Sequence, residues 1–135
     1  MGSDLALTRE LTQTGDQLLT QLDGLLADHQ PEASLLHGDL WGGNAAMDDQ
    51  GRPVLFDPAL YYGDRETDLA MAELFGGFSP LFFEAYNGAW PLPDGYRGHR
   101  RELYQLYHLL NHYNLFGGHY GEESLRLIRR LLARI

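Results

Sequence analysis

Leucine recurs at helical spacing early in the chain. Leu18, Leu22, Leu25 and Leu26, with Leu19 beside them, mark an amphipathic helix over 14–29. Pro31 closes it, and Gly15 interrupts the pattern upstream toward Leu5, which leaves its start open. A different rhythm follows. Ser34-Leu35-Leu36-His37 is a short apolar run entering Gly38, the pattern of a brief strand feeding a loop. Asn44–Met47, then Asp48-Asp49-Gln50-Gly51, then Val54–Phe56 read as strand, tight turn and strand, a hairpin. Helical periodicity returns over 65–75 and breaks at Gly76-Gly77. Residues 80–89 form a strongly aromatic helix that ends before Pro91 and Pro93. The longest helix spans 100–116, with Leu103, Leu106, Tyr107 and Leu110 inward and Gly117-Gly118 as its stop. A last helix over 122–135 has acids at its start and arginines at its end, as the helix dipole favours. There is no repeat and no low-complexity tract. The expected class is mainly α (α+β), helices around one small β-hairpin.

Composition narrows the partners. The 135 residues are 44% hydrophobic and 21% charged, the balance of one soluble domain with a real core. No apolar run approaches the roughly 18–20 residues that span a bilayer, so no membrane partner is expected. Met1-Gly2-Ser3-Asp4 lacks the apolar stretch of a signal peptide and reads in part as an expression remnant. With no cysteine, disulfides, thiol catalysis and Cys-based zinc sites are excluded, and the expected location is the cytoplasm. A net charge of −9 repels a polyphosphate backbone, which argues against nucleic acid. The same charge admits ATP, because Mg2+ carried on carboxylates offsets both protein and nucleotide.

The chemistry concentrates in His37-Gly38-Asp39-Leu40-Trp41-Gly42-Gly43-Asn44, followed 13 residues after Asn44 by Asp57-Pro58-Ala59. The protein-kinase signature has His, an Asp two residues on, an Asn five beyond it, and a later Asp across a hairpin. The spacing of the first three residues matches, and Asp57 falls where the hairpin's second strand ends. Phosphoryl transfer needs these residue types. A carboxylate must orient the attacking hydroxyl and take its proton, and Asp39 fits. Magnesium needs hard oxygens, which Asn44 and Asp57 offer. Gly42 and Gly43 let the loop turn back between Asp39 and Asn44. A lone His-x-Asp arises easily by chance, and a loop Asp is usually a solvated turn residue. The joint spacing is what carries weight. His37 itself reads as a holder of the loop backbone.

The wider runs HGDLWGGN, LFDPALYYGDRETDLAMAELFGGF, FFEAYNGAWPL and LYQLYHLLNHYNLFGG resemble the C-terminal half of a fructosamine (ketosamine) kinase. That family is related to the aminoglycoside phosphotransferases and choline kinases. The resemblance covers about residues 34–120 and implies the C-terminal lobe of a protein-kinase-like fold. It implies ATP-dependent phosphorylation of the 3-hydroxyl of a sugar on an amine, as on glycated lysine, in protein deglycation. It assigns Asp39 as base and Asn44 and Asp57 as metal ligands. Asp68, opening an Asp-Leu-Ala-Met helix, matches an Asp that anchors the catalytic-loop backbone in related enzymes; a plain helix N-terminal acid is the alternative. Where the family usually has Ser, this chain has Gly42, a departure expected to be tolerated.

Other residues stay open. Asp64, Arg65 and Glu66 form either a polar network around the site or an exposed charged turn. Trp41, Tyr61, Tyr62 and Trp90 either line a sugar pocket or belong to the core. His108 and His112 lie four apart on a helix, as zinc ligands do, but no third ligand accompanies them, which favours packing.

About 33 residues precede the catalytic loop, and they read as an N-terminal helical segment, with the kinase-like lobe at 34–135. All ten basic residues are arginine, so no phosphate-pairing lysine is present, and no glycine-rich phosphate loop precedes the site. The ATP-binding lobe is therefore expected to be absent, activity of this chain weak or nil, and the bared surface covered by self-association into a homo-oligomer. Two alternatives stand beside the kinase: a truncated, inactive kinase-like domain that binds or oligomerises, and an aminoglycoside- or choline-type kinase. The Trp41 and Tyr61-Tyr62 signatures argue against the latter.

Overall fold

Helix punctuation largely sets the element boundaries. The structure, a computed structural model, describes residues 2–135, with side chains from Asp4 onward. In chain order the elements are α1 (Gly2–Leu19), α2 (Leu22–Leu25), β1 (Ser34–Leu36), β2 (Ala45–Met47), β3 (Pro53–Leu55), β4 (Tyr61–Gly63), α3 (Glu66–Phe75), α4 (Pro80–Ala89), α5 (Arg101–Phe116) and α6 (Tyr120–Ala133). A 3-10 turn spans Gly42–Asn44 and a π turn spans Tyr96–Arg100. α4 opens on Pro80, whose fixed φ suits a first helical position. α3 ends on Gly76 at φ 77° and α5 on Gly117 at φ 67°, conformations natural to glycine.

Two elements differ from the sequence pattern. The helix expected over 14–29 is the last turn of a longer α1 plus the separate short α2. Gly15 does not interrupt α1, because an interior glycine costs only about 1 kcal/mol and α1 recovers more by lying along α6. The break comes later, where the Thr20 hydroxyl donates to the Gln17 carbonyl at 2.6 Å. The second difference is β4, which pairs antiparallel with β1 (Ser34 opposite Gly63, Leu36 opposite Tyr61). There are thus two two-stranded sheets among the described residues, β1–β4 and the β2–β3 hairpin with Ala45 opposite Leu55.

The chain divides into two compact units. One joins the residues up to His29 with Glu102–Ile135. Its core holds Leu18, Leu103, Leu106, Leu109, Leu125, Ile128 and Leu131. Buried Glu102 accepts hydrogen bonds from Arg130 at 2.9 Å and Arg134 at 3.1 Å, and Arg129 pairs with Glu10.

The other unit, Gln30–Arg101, carries all four strands, α3 and α4. Leu36, Leu40, Leu69, Ala70, Met71, Ala72 and Tyr96 are its buried apolar side chains. A π turn is wider than an α turn, and it buries Tyr96 and Arg100 together. Both meet α3. The Tyr96 hydroxyl donates to Glu73 at 2.7 Å, and Arg100 forks onto Glu66 at 2.8 and 3.1 Å. Glu66 and Glu73 are seven residues apart and share one face of that helix. Burial and the Glu73 carboxylate raise the Tyr96 phenol well above its ordinary pKa, so it stays a donor. No helix among the described residues is long and apolar enough to cross a membrane.

Candidate functional site

Strand β1 delivers the chain to His37 through buried Leu36. The loop that follows is fixed from α3. The Asp68 carboxylate, in the helix's first turn, accepts the backbone N–H of His37 at 2.8 Å and of Gly38 at 3.0 Å. Two adjacent amides on one carboxylate leave the loop little freedom to rotate. Gly38 sits at φ 88°, and a Cβ there would lie 2.0 Å from the Ala59 carbonyl oxygen, so only glycine fits. His37 accepts the Asp39 N–H on Nδ1 at 3.2 Å. Its proton is therefore on Nε2, which donates to the Phe56 carbonyl at 2.8 Å. Both ring nitrogens are engaged in holding backbone.

Asp39 and Asn44 meet directly. The Asn44 side-chain nitrogen donates to the Asp39 carbonyl at 2.9 Å and to the Asp39 carboxylate at 3.0 Å. Two acceptors on one amide nitrogen fix the orientation of the buried Asn44 side chain, and its Oδ1 takes no hydrogen bond from the described residues. The 3-10 turn over Gly42–Asn44 makes this short return possible.

Asp57 arrives from the other side of the hairpin. Its neighbour Phe56 donates its N–H to the Asn44 carbonyl at 3.0 Å and accepts from His37. The backbone thus brings the Asp57 end of β3 beside both His37 and Asn44. Asp57 is exposed and has φ 49°, the one positive φ outside glycine among the described residues. Asp tolerates this left-handed region better than most residues, at a cost of order 1 kcal/mol. Its carboxylate has no hydrogen-bond partner among the described residues. Asn44 Oδ1 and the Asp57 carboxylate are hard oxygens of the kind Mg2+ takes, and neither is committed to a hydrogen bond among the described residues.

The Gly42 position is not free. A Cβ there would lie 2.6 Å from the Gly77 Cα, and its N–H donates to the Gly76 carbonyl at 2.9 Å. A glycine at this position is accommodated by a close backbone-to-backbone contact. Here Gly42 and Gly77 fit one another.

The aromatic candidates separate. The Trp41 ring lies over Gly43, where a Cβ would come within 2.3 Å of it, and the side chain is 42% exposed. Tyr61 and Tyr62 are exposed on β4, Tyr62 at 73%. Trp90 is half exposed, but its ring carries the Arg65 guanidinium at 3.8 Å. None of the four belongs to the buried core. His112 Nδ1 lies 2.8 Å from the His108 carbonyl, and His108 is buried; the pair joins no cluster of metal-ligating side chains among the described residues.

Arg65 and Arg100 are the residues that sequence reasoning left unresolved or missed. Arg65 donates to the Trp90 carbonyl at 3.0 Å, the Pro91 carbonyl at 2.7 Å and the Tyr86 hydroxyl at 3.2 Å. Arg100 adds the Pro93 and Asp94 carbonyls, at 3.1 and 2.9 Å, to its fork on Glu66. The Asp64–Glu66 stretch is therefore part of a polar network. The only sequence sign of it was the run of charges before α3.

The family model for fructosamine kinase matches residues 3–134. A protein named "Probable ketoamine kinase" from Vibrio cholerae is 57% identical over 108 residues, 80% of this chain and 37% of that protein. The Mus musculus protein named "Ketosamine-3-kinase" is 46% identical over 123 residues, 91% of this chain and 39% of that one. A crystal structure from Thermobifida fusca, assigned as a fructosamine-3-kinase, superposes with a TM-score of 0.77 at 36% identity, covering 96% of this chain and 48% of that one. The choline kinase LicA from Streptococcus pneumoniae, at 19% identity and a TM-score of 0.65, shows the shared kinase-like fold. The chain spans less than half the length of these relatives.

Proposed function

The chain belongs to the fructosamine kinase family, and on that premise we propose that residues 37–57 form the base and metal-ligand centre for ATP-dependent phosphorylation of a sugar hydroxyl on a glycated amine. Asp39 orients the acceptor hydroxyl and takes its proton as the hydroxyl oxygen bonds the γ-phosphorus of ATP and the bond from that phosphorus to the departing ADP breaks. Asn44 holds the Asp39 carboxylate through its amide nitrogen and presents its oxygen to the metal. Asp57 supplies the second metal oxygen. When bound, Mg2+ neutralises charge on the transferring phosphate. His37 and Asp68 act on the loop backbone, fixing where Asp39 points. Trp41, Tyr61 and Tyr62 offer exposed rings for the apolar face of an acceptor sugar. The chemistry serves deglycation, because a phosphorylated ketosamine is labile.

The observation that carries this reading is the 3.0 Å bond from Asn44 to the Asp39 carboxylate, beside the Phe56 backbone that leads into Asp57. The test is Mg2+-dependent ATP consumption with fructosyl-lysine as acceptor. Turnover that vanishes in Asp39→Asn supports the reading. An Asp39→Asn variant as active as wild type overturns it, and a wild-type chain that neither binds ATP at millimolar concentration nor consumes it favours the truncated, inactive domain instead.

A second reading, association with another chain, is favoured by one feature. Met47, Val54, Leu55, Leu60 and Tyr62 are all exposed in and after the hairpin. Sedimentation across a concentration series tests it: a monomer throughout removes the homo-oligomer.

A further inference from the structure

The start of α3 grips two separate segments. Asp68 holds the catalytic loop by the His37 and Gly38 amides. Three residues earlier, about 4.5 Å along a helix at 1.5 Å per residue, Arg65 holds the segment that follows α4. Its guanidinium donates to two successive carbonyls, Trp90 and Pro91, lies 3.8 Å over the Trp90 ring and reaches the Tyr86 hydroxyl. The adjacent residue, Glu66, extends the grip. It forks onto Arg100, which is 5% exposed and donates to the next carbonyls of the same segment, Pro93 and Asp94. Four carbonyls of the stretch Trp90–Asp94 are thus bonded by two arginines, both referred to one helix end. Gly95 at φ 94° completes the fit, since a Cβ there would lie 2.6 Å from the Arg100 guanidinium.

Such an investment in an irregular, proline-rich surface segment is more than closing a loop requires. A guanidinium committed to carbonyls, a ring face and a hydroxyl is also poorly placed to bind phosphate. We propose that Arg65 is a positioning residue for the acceptor: it fixes the Trp90–Asp94 segment as a rigid rim referenced to the same helix turn as the catalytic loop, so that an acceptor hydroxyl meets Asp39 in one orientation. This rests on the kinase reading above. The ligand class is a polyhydroxylated sugar carrying an amine. The planar fork is essential, because an ammonium can keep the charge over Trp90 but cannot grip two carbonyls in a fixed geometry.

The test compares wild type, Arg65→Gln and Arg65→Lys, with thermal melting to show that each is folded. Two ligands are titrated separately: fructosyl-lysine, followed by tryptophan fluorescence, and Mn2+·ADP, followed by electron paramagnetic resonance. The expected result is acceptor affinity lowered at least about fivefold in both variants, the scale of a lost charge-assisted hydrogen bond, with Mn2+·ADP affinity within about twofold of wild type. Unchanged acceptor affinity in Arg65→Lys overturns the proposal while leaving the kinase reading intact. So does a loss confined to Mn2+·ADP, which would make Arg65 a phosphate ligand. If wild type binds neither ligand, the kinase reading fails and this inference fails with it.

Discussion

The catalytic loop, residues 37–44, and the hairpin that follows it, residues 45–55, are neighbours in sequence and are stabilised by opposite means. The loop is held from far away. Asp68 takes two of its amides from about thirty positions on, and Gly42 is bonded to Gly76 and packed on Gly77. The hairpin is held from within. All three residues of β3 are exposed. Its turn is closed by Asp48 alone, which accepts the Gln50 and Arg52 amides on Oδ1 and the Arg52 guanidinium on Oδ2. Asp39 thus sits on the fixed side of the centre. Asp57 sits on the exposed side, in a segment joined to the loop by the two bonds of Phe56 and by the Ala59 N–H, which donates to the His37 carbonyl at 2.8 Å.

The contrast can be broken at several points. The largest effect belongs to the chemistry: Asp39→Asn keeps the shape and should lower turnover by about 10²–10⁴-fold in a ketosamine assay. Next comes the buried pair behind the loop's anchor helix. Glu66→Ala removes the carboxylate onto which Arg100 forks in a buried pair and should cost about 3–5 kcal/mol in urea unfolding. Asp68→Ala strands two backbone amides and should cost about 1–3 kcal/mol. Similar in size is Gly42→Ser, whose Cβ must displace the Gly77 backbone; about 1–3 kcal/mol is expected, and Gly42→Ser melting with wild type would show that the loop yields after all.

The smallest effect is at the hairpin turn. The Arg52 amide holds the Asp48 carboxyl below its ordinary value; desolvation opposes it, and the Gln50 amide and the Arg52 side chain add to the lowering. A lowered folded-state pKa adds stability above the unfolded value of about 3.9 and loses it as pH falls through the folded value. Asp48→Asn should therefore unfold slightly more easily than wild type at pH 7, and the gap in urea midpoints should close as the medium is acidified below about 3.9. A gap at pH 7 as large as that of Asp68→Ala would erase the distinction between loop and hairpin.

What could be read from the chain follows the same division. The hairpin, α4 and the span of α5 were legible because turn residues and periodicity act locally, but the inward stripe of α5 holds for Leu103 and Leu106 and not for Tyr107, which is 63% exposed. The spacing of His37, Asp39 and Asn44 was legible because one short loop carries all three. β4 was not, since a three-residue strand exists only through pairing with β1, and Tyr61-Tyr62 carries no alternation of its own. The length of α1 was hidden by Gly15, whose cost is outweighed by packing that no local pattern records. Arg65 and Arg100 stayed open for a similar reason. Their partners lie 25 and 34 residues away and are largely backbone carbonyls, which leave no trace in residue type.

The central claim is that Asn44 and Asp57 present their oxygens to one metal beside Asp39. Its most direct measurement is the electron paramagnetic resonance of Mn2+·ADP titrated with wild type and with Asp57→Asn, which keeps a side chain tolerant of the left-handed backbone while removing the charge. The account predicts a bound-manganese signal in wild type that is lost or weakened at least about tenfold in the variant, the scale of one missing hard-oxygen ligand. Equal binding by the two proteins would contradict it.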